Sequence, residues 1–429
     1  MAQHRKNRRS SQVKIKTWTV GIAVLALVAS PAYAEIDLGQ LSYDQDVVPV
    51  GCDSCGGSDS CCGDTCCGGG GCGCGVGGGG LFSGMGPGYL EGMSLSSALG
   101  ISRFDVGGWT QFGYHDQQTP LSTVRGDTRA FNDVPKNLNL QQQWFYIGKE
   151  ADGSNGLGFG FRADFIYGTD AQKTQSFSNP TNSFDEGFDH GVYGWAIPQL
   201  YGEVAMGDLS VKVGHFFTLA GYEVIPATGN FFYSHALTMF NSEPFTHTGV
   251  LGTYTGFENM TLYGGWTLGW DTGFDQVQSG NSYLGGFAVN LLDSVSLNVI
   301  NTYGNFGKIS APGANSDYSH SIVIDVTMTD RVNYVFQTDY LGIEGPGGVG
   351  ITETLGINQY LFYKYSDIVS FGTRLEWWRN DGVSNNEITT GANVKLLNNL
   401  VIRPEVRKDW VPATGFDEDM FAFDFILTY

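Results

Sequence analysis

The chain has 429 residues, with 43 acidic against 23 basic side chains and a formal net charge of -20. That sign excludes a nucleic-acid partner, because affinity for a phosphate backbone rests on Lys and Arg displacing counterions. Beyond position 100 the apolar residues alternate with polar ones instead of clustering into a spanning helix, so an exported chain with this pattern is either a soluble all-β protein or an outer-membrane barrel.

Residues 1–34 read as a secretory signal peptide. Arg5, Lys6, Arg8, Arg9, Lys14 and Lys16 form a basic head, Thr17–Ser30 is apolar, and Ala32-Tyr33-Ala34 gives a small-x-small cleavage site before Glu35. The apolar run is shorter than the roughly 20 residues of a spanning helix. Cleavage removes six basic residues and no acidic one, taking the formal charge from -20 to -26.

Residues 35–100 form a Cys/Gly-rich, low-complexity lead that is expected to be disordered, since it holds too little apolar surface to offset its own ordering. All eight cysteines lie in it: Cys52, Cys55, Cys61, Cys62, Cys66, Cys67, Cys72 and Cys74. In an exported protein they are candidates for disulfides, within or between chains. Neighbours such as Cys61-Cys62 are poorly placed to bond each other, which favours different partners for each. Cys52-Asp53-Ser54-Cys55 has knuckle spacing, but no histidine lies near it and the Gly-rich context gives no rigid site, so no metal is expected. The Gly run lacks the Gly-Lys-Ser/Thr of a phosphate loop. Ser94–Leu99 fits one helical turn before the barrel starts.

Residues 101–429 read as an all-β, transmembrane antiparallel β-barrel. Seven tight turns carry the Asp, Asn, Gly or Ser that turn chemistry requires: Asp152–Asn155, Met206–Asp208, Phe257–Asn259, Asp293-Ser294, Thr329-Asp330, Ser366-Asp367 and Asn398-Asn399. Eight longer connections alternate with them, at roughly 116–137, 168–194, 218–247, 271–281, 304–317, 342–353, 380–386 and 411–418. Fifteen connections join sixteen strands. Outer-membrane barrels have even strand numbers with short turns on one side and long loops on the other, and sixteen strands leave an aqueous channel.

Side chains alternate between the two faces of a strand. In 157–167, Leu157, Phe159, Phe161, Ala163, Phe165 and Tyr167 oppose Gly158, Gly160, Arg162 and Asp164. In 260–270, Met260, Leu262, Trp266, Leu268 and Trp270 oppose Thr261, Tyr263, Gly265 and Thr267. In 369–377, Val369, Phe371, Leu375 and Trp377 oppose Ser370, Arg374 and Glu376. In 400–407, Leu400, Ile402 and Val406 oppose Val401, Arg403, Glu405 and Arg407. The apolar sets must face lipid, where a charge costs about 2–4 kcal/mol at the midplane. The polar sets then face a wet lumen. The expected pore lining is Arg162, Asp164, Lys212, Lys364, Arg374, Glu376, Arg403, Glu405, Arg407 and Asp424, each as a solvated wall position. Trp109, Trp144, Trp266, Trp270, Trp377 and Trp410 lie near expected strand ends and suit interfacial girdles.

The connection at 218–247 is unusual for its aromatics: Phe231, Phe232, Tyr233, Phe240 and Phe245, with Met239. A long apolar loop packs on something. The barrel interior is the expected place, where Glu223, His235, Glu243 and His247 would face a basic wall and set a transverse field at a constriction. Tyr222-Glu223, Asn230–His235 and Glu243–Val250, following Lys212-x-Gly214-x-Phe216, resemble the OmpL-like β-barrel porin family, the second such grouping of barrel porins. The resemblance covers roughly 100–429 and leaves out the Cys/Gly-rich lead. It implies an outer-membrane porin, without a defined solute.

The chain ends on Phe421, Phe423, Phe425, Leu427 and Tyr429 along one face, with Asp424 on the other. This looks like the C-terminal insertion signal of outer-membrane barrels, here placed on the sixteenth strand, which pairs with the first near Phe104–Tyr114. The expected function is passive diffusion of small hydrophilic solutes or ions through the outer membrane of a diderm bacterium, without cofactor. Acids in the external loops, such as Asp185, Glu186, Asp189, Asp417, Glu418 and Asp419, favour weak cation preference. Expected partners are outer-membrane lipid, the insertion machinery and, by analogy with sixteen-stranded porins, two further copies in a homotrimer. Two alternatives stay open. One is a structural anchor crosslinked through the cysteines. The other is a barrel enzyme, disfavoured because Ser234-His235 and Ser319-His320 are adjacent pairs, the wrong geometry for a nucleophile and its base.

Overall fold

In the computed structural model, residues 104–116, 131–132, 134–345 and 349–429 are described. The signal peptide, the lead with its eight cysteines, Ser94–Leu99 and most of the first connection lie outside the described residues.

Sixteen antiparallel strands form one closed wall. They are β1 (Asp105–His115), β2 (Asn139–Lys149), β3 (Gly158–Gly168), β5 (Tyr193–Met206), β6 (Leu209–Phe217), β7 (Thr246–Phe257), β8 (Met260–Thr267) and β9 (Asn281–Leu292), followed by β10 (Val295–Asn305), β11 (Asp317–Thr329), β12 (Val332–Gly345), β13 (Val349–Lys364), β14 (Val369–Asn380), β15 (Val383–Leu397), β16 (Leu400–Val411) and β17 (Phe416–Thr428). β4 (Asp189–His190) is a two-residue ribbon on the end of β5, inside the second connection. Each wall strand pairs with its sequence neighbours, and β17 returns to β1 from Trp109↔Thr428 to His115↔Ala422. Tyr429 completes the closure: its N–H donates to Gly108 O and its carbonyl accepts from Gly108 N–H, both at 3.0 Å. Phe112 stacks on Phe425 and Tyr114 on Phe423 across this junction, at 5.3 and 5.5 Å.

All seven short turns fall where the sequence puts them. Gly207, at φ 57°, lets the chain reverse between Met206 and Leu209. Three of the expected long loops are instead short. The ladder between β12 and β13 runs out to Gly345↔Val349. β14 and β15 are joined by Asp381-Gly382 alone, at φ 45° and 91°, the double positive φ of a type I′ hairpin turn. β16 and β17 are joined by residues 412–415. Cross-strand hydrogen bonding carries these strands several residues beyond the clearly alternating part of the sequence.

The outer face is the apolar one, with Phe159 62% exposed, Val213 55% and Val406 56%. Three girdle assignments are corrected. Trp109 and Trp144 point into the barrel and stack on each other at 4.6 Å, their indole N–H groups donating to Gln142 and Asp164. Trp270 lies beyond the end of β8 and stacks on Phe306 at 4.7 Å, fully buried among the loops, so it does not continue the lipid face. Trp266 does face outward, and Trp195, which sequence reading passed over, joins it.

The second connection lies against the outer wall near its long-loop end. His215 shares a face with the exposed Leu200 by register, yet it is buried between Ser176 Oγ (3.1 Å) and Thr248 Oγ1 (2.7 Å). Asp185 is likewise no exposed acid. Its carboxyl accepts N–H groups from Ser176 (3.0 Å) and Ile197 (2.8 Å), and burial pushes its pKa up to about 7.

Candidate functional site: the lumen and its third loop

The loop between β6 and β7, Thr218–Phe245, folds into the barrel. Inward-facing side chains of the wall hold its backbone directly. Glu405 accepts the N–H groups of Tyr233 (2.8 Å) and Ser234 (3.1 Å). Glu376 accepts those of Leu237 (2.6 Å) and Thr238 (2.7 Å), at the first turn of the short helix Leu237–Ser242. Arg403 donates to Ala227 O and Asn230 O, Arg407 to His235 O, and Arg374 to Ser234 O. Across the β17–β1 closure, Gln142 of β2 accepts from Ala227 N–H and donates to Ile225 O. A loop with so many aromatics still has an ordinary peptide backbone, and each of its N–H and C=O groups needs a partner once water is excluded. The wall supplies charged ones, which make the stronger hydrogen bonds.

Glycines set the close approach. The Tyr233 ring lies over Gly113, Phe231 over Gly372 and Thr238 over Gly356, so that a Cβ at any of the three would overlap the loop side chain. Gly372→Val is expected to cost about 1–3 kcal/mol by overpacking, lowering the denaturant midpoint and loosening the loop. Gly264→Val on the outer face, where a Cβ meets open space, is the control that leaves the midpoint unchanged.

The structure places the expected constriction residues as follows. Glu223, His235 and Glu243 are on the loop and buried. Glu223 does not face a basic wall across a gap, because it pairs directly with Arg374 at 2.6 Å. Burial, with Arg374, Arg403 and Arg407 nearby, pushes the His235 imidazole down to about 3, so it is neutral. Burial first, and Asp339 second, hold the Glu243 carboxyl well above the usual carboxylate range. Gln337 donates to both acids at 2.6 Å. His247 is not a loop residue: it is the second residue of β7, bonded to Gly269 O (3.2 Å).

The expected pore lining points inward but is not solvated at mid-height. Arg374, Glu376, Arg403, Glu405, Arg407, Asp164 and Asp424 are all buried, because the loop and neighbouring side chains cover them. The guanidinium groups are matched to carboxylates: Arg374 to Glu223 and Glu387, Arg403 to Asp424, and Arg407 to Asp409. Arg162 and Lys212 remain partly exposed nearer the short turns. Arg162 pairs with Asp164, and Lys212 lies 4.9 Å from the Tyr201 ring. Lys364 sits at the end of β13, paired with Asp367 at 2.9 Å. Sequence reading missed Glu387 and Gln142, and it did not single out Gly113, Gly356 and Gly372. The signal available was a glycine at an inward position of a strand otherwise rich in large side chains.

Apolar groups pack inside as well. Trp109, Trp144 and Ile166 of the wall form one buried cluster with Ile225, Met239, Phe240 and Phe245 of the loop and Phe131 of the first connection. Phe231 and Phe232 pack on Val335, Tyr360 and Phe362.

A sequence profile of the family described as "Putative beta-barrel porin-2, OmpL-like" matches residues 103–425, more than half of the chain. The chain belongs to this family. The porin has the fold of solved porins at low identity. An anion-selective porin from Comamonas acidovorans matches with a TM-score of 0.53 at 10% identity, covering 76% of this chain and 99% of that one. A mutant of the Rh. blastica porin matches with 0.50 at 13%, covering 76% and 100%. The loop L8 deletion mutant of OmpT from Vibrio cholerae matches with 0.50 at 9%, covering 76% and 99%. No curated protein matches in sequence. The porin is thus an outer-membrane protein built to form a channel through its barrel.

Proposed function

We propose that this porin passes small hydrophilic solutes or ions by passive diffusion, with the third loop as its constriction. The reading is carried by one observation: residues 218–245 lie within the wall and are bound by inward-facing groups on strands from β10 round to β2. A channel so narrowed selects by size and by the charges left unpaired along it. Inside, the guanidinium groups are neutralised by carboxylates. The external acids Asp417 and Asp419, 60% and 80% exposed at their side chains, share the single lysine Lys408 and so leave a net negative charge, which tips the balance toward weak cation preference. Export by the signal peptide of residues 1–34, insertion by the outer-membrane machinery and assembly as a homotrimer belong to the same reading. Catalysis does not: Ser319 faces inward while His320 stacks outward on Tyr340 at 5.8 Å, and Ser234 Oγ accepts from Arg374.

Planar-bilayer recording in asymmetric salt tests this. Stepwise openings with a reversal potential of cation sign are expected. Silence from correctly folded protein would remove the channel reading, and a reversal potential of anion sign would remove the selectivity assignment.

A further inference from the structure

The third loop is held unevenly. From β12 through β17 to β2 it is fixed by ion pairs, charge-assisted hydrogen bonds and glycine notches. Facing β6–β10, its first residues make apolar contact instead. Leu219 and Ala220 lie against Phe216, Leu251, Leu284 and Ile300, with Tyr201 and Tyr263 at the edge. Among the described residues, this stretch receives a long 3.4 Å bond from Asn298 Nδ2 at Leu219 O, and Gly221 N–H donates to Ser321 Oγ at 3.0 Å.

Exposure is uneven in the same sense. On the clasped side, inward positions of β12, β13, β14 and β16 are buried close to the short turns, as at Val335, Phe362, Gly372 and Arg403, although Gly391 and Asn393 of β15 stay partly exposed. On the other side, Gln199, Tyr201, Gly249, Gly265 and Asn298 stay partly exposed, so water reaches deepest beneath Leu219 and Ala220. Asn298 Oδ1 is buried there without a hydrogen-bond partner.

We infer that the permeation path is this seam, between Leu219-Ala220 of the loop and the inner faces of β6–β10, and that residues at the seam determine which solutes pass. The reason is a difference in kind. Apolar contacts are non-directional and can slide or part, whereas withdrawing the loop from the clasp strands buried charges. Glu203 and Lys212, cross-strand partners in the open part of the wall, and the Lys212-Tyr201 pair form the vestibule at its lower end. Those groups suit a small hydrophilic solute with hydroxyl or charged groups.

This inference rests on the porin reading, and the test separates the two. Ala220→Asp and Ala220→Arg are compared with Thr228→Asp and Thr228→Arg, since Thr228 is a partly exposed loop position on the clasped side. Asn298→Asp, at the already wet mouth, serves if the Ala220 variants do not fold. Folding is checked by heat-modifiable migration. The expected result is opposite shifts of reversal potential for the two Ala220 variants, conductance changes of more than about twofold, and small effects at Thr228. Wild type that conducts, with Ala220 and Asn298 variants indistinguishable from it, overturns the seam; so do larger shifts at Thr228. A silent wild type overturns the porin reading itself.

Discussion

Arg374→Met is expected to destabilise the barrel by about 3–5 kcal/mol, the cost of stripping one partner from a buried ion cluster. Arg374 is fully buried and lies between two carboxylates, Glu223 of the loop at 2.6 Å and Glu387 of β15 at 2.8 Å. It also donates to Ser234 O at 2.9 Å and lies 5.2 Å from the Phe232 ring. Methionine fills much of the same volume but takes from both acids the guanidinium that pairs them. Chemical unfolding in detergent or lipid should therefore show a clearly lower midpoint, and bilayer recordings should show larger, noisier openings as the loop detaches. A triple variant with Glu223→Gln and Glu387→Gln removes the stranded charges and should recover most of the loss. An unchanged midpoint for Arg374→Met alone would mean that this cluster does not hold the loop.

The second large effect is expected from Glu376→Ala combined with Glu405→Ala. Together these carboxylates accept four loop N–H groups. Each buried donor left without an acceptor costs about 1–3 kcal/mol, so the loop gains by leaving its seat and finding water. Conductance should rise severalfold, with a smaller fall in wall stability, because the interstrand ladder is untouched. Asp325→Ala removes an inward carboxylate of β11 that makes no bond to the loop, and should leave channel size as it was. Equal conductance in the double variant and the wild type would assign the constriction elsewhere.

The wall was legible in the sequence because its determinants are local. Alternation fixes which side chains share a face, and Asp, Asn and Gly mark each short turn, so sixteen strands and the pairing of Phe421–Tyr429 with the first could be read directly. The ends of β12–β17 could not, because strand length there depends on a neighbour to pair with. The lumen was half legible. Parity shows that Arg374, Glu376, Arg403, Glu405 and Arg407 point inward, but it says nothing of what covers them. The same gap accounts for Trp109 and Trp144. Inward was equated with wet, and an aromatic loop supplies an apolar surface inside the wall. The loop's length and its phenylalanines were visible, whereas Gly113, Gly356 and Gly372 acquire meaning only when ring and notch are seen together.

The clasp also bears on the order of assembly. The loop lies between β6 and β7, yet its receptors Arg374, Glu376, Arg403, Glu405 and Arg407 stand on β14 and β16, and the bond from Arg403 to Asn230 O spans 173 positions. Contacts so distant in sequence are slow to form, because chain entropy is lost before they give anything back. The loop must wait, unpaired, until the last quarter of the chain arrives. Seating it and sealing the wall with β17 thus become a single late event, and a barrel that has not closed is a barrel whose plug has nothing to hold.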